Sequence, residues 1–154
     1  MNIIQNFQEV RRDGKIIPES MTTEEMVNLG WLPEKIESIR WQVNGRSIEY
    51  VGEHGMLSMV CPSRDSIIVI KKLDETGIGS KLEVLNADGT SRFQIPPIQK
   101  INEVTESGRY CWFEPARTPS KSLVGVVFES QSGQVYQLDI DVFTGKTIGI
   151  WRIK

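Results

Sequence analysis

The chain has 154 residues, 39% hydrophobic and 25% charged, a balance that excludes a disordered chain and suffices for one self-supporting core. A formal net charge of −2 excludes bulk phosphate neutralisation as a route to nucleic acid. The two cysteines, Cys61 and Cys111, are too few for a disulfide scaffold, and no apolar run approaches the ~20 residues of a membrane span.

The N-terminus, Met1-Asn2-Ile3-Ile4-Gln5-Asn6, has neither the basic nor the apolar region of a signal peptide. The expectation is a protein of the bacterial cytoplasm, with both thiols reduced and held in strands. Asp13-Gly14 then predicts a tight hairpin between Glu9–Arg12 and Lys15–Ile17, ended by Pro18. One helix is predicted near residues 22–30. Thr22 and Glu25 form a capping box, Glu24 and Glu25 suit the helix dipole, and Gly30 suits the left-handed position that ends it. Trp31-Leu32-Pro33 reads as an apolar latch onto a sheet.

From residue 36 the apolar period becomes two. Ile39, Trp41 and Val43 share one face, and Asn44-Gly45 is a strong hairpin signal leading to Ile48 and Tyr50. Met56–Cys61 follows the Gly52–Gly55 turn. Ile67–Leu73 is apolar on both faces, which predicts a central strand. After an Asp74–Ser80 loop come Lys81–Asn86 and Ser91–Ile95, stopped by Pro96-Pro97. Residues 98–109 read as a polar, irregular connection. Tyr110–Glu114 reads as a short aromatic strand, 115–122 as a solvated loop, and Leu123–Ser130, Gln134–Asp141 and Thr147–Ile153 as a final meander.

These signals predict a mainly β fold of about ten strands, antiparallel meanders forming a sandwich or strongly bent sheet. The chain reads as a single domain, 1–154, with two meander halves at 36–97 and 110–154. The predicted core is Ile39, Trp41, Val43, Ile48, Tyr50, Ile68, Ile70, Leu82, Val84, Phe93, Ile95, Val126, Phe128, Tyr136, Leu138, Ile148 and Ile150. The two meanders share a grammar, and the second resembles one blade of a β-propeller. The chain is too short for the four blades a propeller needs, so two meanders packed face to face account for the pattern.

Chemistry-bearing motifs are scarce. His54 is the only histidine and sits between glycines in a turn, where it needs no function. Its pairing with Cys61 as a nucleophile would require both to face an open cleft. Zinc-binding spacing is absent. Asp139 and Asp141 alternate on one strand face, where carboxylates commonly keep an edge soluble. Gly77-x-Gly79 precedes a strand, not the helix a phosphate loop requires. No catalytic residue, metal or cofactor is assigned.

The surface candidates are Arg109, Tyr110, Trp112, Glu114, Arg117 and Lys121. Aromatic residues and arginine concentrate at protein-interface hot spots. The leading expectation is a non-enzymatic protein–protein interaction module, in its sharper form an immunity-type inhibitor of a toxin encoded nearby. Its partner would be another protein, with no nucleic acid and no membrane, and the chain would be a monomer or homodimer. A structural or assembly module of a phage or envelope, and a small-ligand or enzymatic β domain, remain as alternatives.

Overall fold

The computed structural model describes residues 3–73 and 80–153; the Asp74–Gly79 part of the predicted loop, with Gly77-x-Gly79, lies outside the described residues. Within them, thirteen strands and one short helix form three antiparallel sheets, as the mainly β reading expects. The first sheet holds β1 (Gln5–Arg11), β2 (Ile16–Pro18), β3 (Ile36–Val43) and β4 (Arg46–Val51) in the order β2-β1-β3-β4. The middle sheet is a plain meander of β5 (Met56–Val60), β6 (Ser66–Lys72), β7 (Ser80–Asn86) and β8 (Ser91–Ile95). The last sheet runs β13-β12-β11-β10-β9, from β9 (Ile98–Ile101) and β10 (Val104–Glu114) through β11 (Leu123–Ser130) and β12 (Val135–Asp141) to β13 (Thr147–Arg152).

The run Ile67-Ile68-Val69-Ile70 in β6 is buried on both faces. Side chains alternate across a strand, so this run feeds two cores. Ile68 and Ile70, with Leu82 and Val84 of β7, pack toward Tyr110, Phe128, Leu138 and Ile140 of the last sheet. Ile67, Val69 and Leu85 pack toward Phe7, Ile39, Trp41 and Val43 of the first. The middle sheet is therefore the shared wall of two apolar layers. Trp41 adds a polar clasp, its indole N–H donating to the Ala87 carbonyl at 2.6 Å.

The last sheet curls into a half-barrel. Gln99 on β9 donates to the Tyr110 hydroxyl at 2.9 Å and accepts from the Thr147 hydroxyl of β13 at 2.8 Å. The bond from Thr147 joins the two edges of a five-stranded sheet, which only strong curvature permits. Residues 98–109 are thus not the predicted connection. They contain the β9–β10 hairpin, whose turn residues Asn102 and Glu103 both take positive φ, 51° and 69°. That geometry is the usual two-residue hairpin turn, made without the glycine that normally signals it.

The helix α1 spans Thr23–Asn28, with Thr22 as its cap accepting from the Glu25 N–H at 3.2 Å. Trp31 N–H reaches Met26 O and Gly30 N–H reaches Val27 O, the paired bonds that close a helix on a left-handed residue. The sequence expects an apolar latch onto a sheet after this helix, and none of the helix's own residues is buried. Its anchor is Trp31, covered by the Arg11 guanidinium 5.2 Å from the ring centroid.

Of the predicted core, Ile148 is the clear exception at 55% exposed. Asp139 pairs with Gly149 but Ile140 pairs with Thr147, so Ile148 is an extra residue in a bulge and turns outward. Because Ile68 sits at 0% exposure between two sheets, Ile68→Ala is expected to cost about 2–5 kcal/mol. Ile68→Asp, which buries an unpaired charge, is expected to abolish the cooperative transition; urea unfolding followed by tryptophan fluorescence measures both.

Candidate partner-binding site

Tyr110 pairs with Phe128 of β11, and Trp112 pairs with Val127. Three residues of β10 thus face two of β11, and Cys111 is the extra one. A regular strand would put Tyr110 and Trp112 on the same face. The bulge separates them: Tyr110 is 3% exposed against Phe128, and Trp112 is 47% exposed on the opposite side. The sequence candidate is split by this single residue. Tyr110 is a core side chain whose hydroxyl donates to Pro96 O at 2.7 Å, and burial pushes its phenol pKa up to about 12.

The remaining candidates are exposed. On β10, Arg109 forms a cross-strand ion pair with Glu129 at 2.8 Å. Trp112 donates its indole N–H to Glu114 at 2.9 Å. Register then carries two rows across the outer face, Trp112–Val127–Gln137–Trp151 and Glu114–Gly125–Asp139–Gly149. Arg117 stacks on Trp151, 5.4 Å from the ring centroid. Arg117 and Trp112 therefore sit over strands three apart, roughly 14 Å at the usual strand spacing. Lys121 is exposed in the loop that leads into β11.

The 115–122 loop is less free than its composition predicts. Asp139 is 0% exposed and accepts from Arg117 N–H at 3.1 Å and Thr118 N–H at 2.9 Å. Gln137 donates to Pro115 O at 2.9 Å. A Cβ on Gly125 would lie 2.5 Å from Glu114 O and 2.9 Å from Pro115 O, so glycine is what lets the loop lie on the sheet. Asp139 thus binds a loop instead of keeping an edge soluble. Asp141 caps its own turn, accepting from Phe143 N–H at 2.8 Å.

The nucleophile reading fails on geometry. Cys61 is 0% exposed, and burial pushes its thiol up to about 11. His54 lies before β5 and Cys61 after it, so a strand of roughly 17 Å separates them. Among the described residues no group of three His, Cys, Asp or Glu is placed to hold a metal ion. No helix among them is long and apolar enough to cross a membrane.

Sequence reasoning missed a cleft beside the bulge. The middle and last sheets part at the ends of β6 and β7, leaving a cleft of about 380 Å³ lined by Leu57, Ile70, Lys72, Ser80 and Arg109–Trp112. A second cleft of about 460 Å³ continues from it, sharing Leu57, Lys72 and Cys111 and reaching Glu34 and Lys35. Only the pairing register of β6 with β7 brings Lys72 and Ser80 opposite each other.

No family model matches the sequence, and no curated protein matches it. A chain in a solved structure described as "Structure of Tne2 in complex with Tni2" superposes with a TM-score of 0.91 at 32% identity, covering 99% of this chain and 100% of that one. This chain belongs to the same family as that protein. The match runs end to end, so the family shares all three sheets.

The thiols offer a direct check on this geometry. Cys111 is half-buried at the cleft and Cys61 is sealed in the core. N-ethylmaleimide is expected to label Cys111 alone in the native protein and Cys61 only after unfolding, as read by intact mass. Asp139→Ala leaves two amides of the loop unpartnered and is expected to cost about 2–4 kcal/mol, with faster hydrogen exchange at Arg117 and Thr118.

Proposed function

We propose that this chain is a non-enzymatic, immunity-type protein that binds a toxin encoded beside it and covers the toxin's working surface in the cytoplasm. The observation that carries this reading is the end-to-end likeness, at 32% identity, to one protein of the two-protein Tne2–Tni2 complex. That protein is held in a complex with another protein, and a shared scaffold of this length supports a shared way of working. Two groups considered for catalysis have structural duties instead: Asp139 pins a loop, and Cys61 is a sealed core thiol.

The partner-binding face in this reading is the outer side of β10 and the loop after it. Trp112 supplies the apolar anchor, and Arg109, Glu114, Arg117 and Lys121 supply the polar surround, an arrangement suited to a hot spot. Tyr110 supports the face from beneath. Net charge of −2 gives only modest steering toward a basic partner.

Tagged protein co-expressed with the adjacent gene product is expected to recover it in equal amount and to relieve its toxicity. Failure to bind that product or any other protein in the source cell would sink the reading. Trp112→Ala is expected to weaken the complex about thirtyfold or more, the loss of one hot-spot aromatic, while Val27→Ala on the helix leaves affinity unchanged; calorimetric titration reads both.

A further inference from the structure

The mouth of the cleft has a composition that the apolar layer behind it does not explain. Ile68 pairs with Val84, Ile70 with Leu82, and Lys72 with Ser80. Alternation places these three pairs on one face of the middle sheet, the face that packs toward β10. Two apolar steps are thus followed by a lysine and a serine at the opening. Directly opposed residues have Cβ atoms roughly 5 Å apart, so one small group could touch both.

Ser80 is 2% exposed, lines the cleft, and its hydroxyl has no hydrogen-bond partner among the described residues. A buried, unpaired hydroxyl costs stability and invites an acceptor. Lys72 has no ion-pair partner among the described residues. Arg109, on the opposite wall, is already engaged by Glu129, and Glu34 lines the outer cleft but not the inner one. Among the described residues, the charge without a counter-ion at the mouth is that of Lys72, and it is positive.

The same mouth borders an unpaired strand edge. β9 covers β10 over Val104–Ser107, and Gly108 N–H still reaches Pro97 O at 2.9 Å. From Arg109 to Glu114 no strand pairs with that side of β10 among the described residues. An exposed edge is a template for an added strand. The Cys111 bulge interrupts the ladder, so backbone pairing there is short and a side-chain contact in the cleft must supply the specificity.

We propose that this mouth receives a carboxylate: an extended segment of the protein partner lies along the free edge of β10 and places one Asp or Glu side chain between Lys72 and Ser80. The ammonium answers the charge, and the serine hydroxyl donates the bond it lacks. Leu57, Ile70 and Trp112 line the walls, and apolar neighbours strengthen a charge-assisted pair. The proposal rests on the protein-interaction reading but is tested without the natural partner.

The probe is the terminally blocked peptide Thr-Val-Glu-Val-Thr, titrated into isotope-labelled protein and followed by amide chemical shifts. Shifts are expected at Lys72, Ser80 and Arg109–Glu114, with binding about tenfold weaker for the peptide carrying Gln in place of Glu, the effect of one charge-assisted hydrogen bond. Lys72→Gln and Ser80→Ala, each checked for an unchanged fold by its own spectrum, are expected to erase the preference for Glu. Absence of shifts at these amides, or equal binding of the two peptides, overturns the proposal. Capture of a whole protein partner with neither effect would leave the interaction reading standing and remove this site from it.

Discussion

The double burial of β6 is the constraint on which the rest of the structure depends. Ile67 and Val69 face one apolar layer, and Ile68 and Ile70 face the other. Neither outer sheet has a second wall of its own, so each is held by the middle one. Burial of each such side chain contributes about 1.5–3 kcal/mol, and the four together account for a large share of the cohesion between layers. A strand apolar on both faces has a weakness: a one-residue slip exchanges its faces without exposing anything. The neighbouring strand β7 has no such degeneracy, because Glu83 marks one of its faces. Glu83 is 4% exposed and accepts a hydrogen bond from Tyr50 of the first sheet. A slip of β7 would carry that carboxylate into the opposite apolar layer with no partner.

Much of this organisation is legible in the sequence because it depends on local chemistry. The Thr22–Glu25 capping box and Gly30 mark the helix, Asn44-Gly45 marks its hairpin, and the uninterrupted Ile67–Ile70 run marks the central strand. Failures arise where one residue breaks the period. Cys111 and Ile148 are each an extra residue in a strand, and each shifts a face that alternation assigns otherwise: Trp112 comes out of the core, and so does Ile148 itself. The β9–β10 hairpin was hidden because Asn102-Glu103 makes its turn without glycine. Attachment of α1 through Trp31 and Arg11, with none of its own residues buried, also has no sequence period to announce it.

The site divides along the same line. Residue type points to Arg109, Trp112, Glu114, Arg117 and Lys121, and the structure places these exposed on β10 and the loop that follows. Tyr110 has the right residue type but the wrong face. Lys72 and Ser80 carry no signal of their own, since a lysine and a serine near a loop are ordinary. Their juxtaposition follows from the β6–β7 register, and their chemistry from the way the sheets part beside β10.

Asp139 has a kinetic consequence. By binding the Arg117 and Thr118 amides it holds the 115–118 backbone in one shape before any partner arrives, and Trp151 beneath Arg117 does the same for a long side chain. The conformational entropy of that segment is lost during folding and is not charged again on association. Under the proposed function, a partner landing there meets a finished surface, so no slow rearrangement limits encounter, and sequence changes on the face are felt mainly in how long the complex lasts.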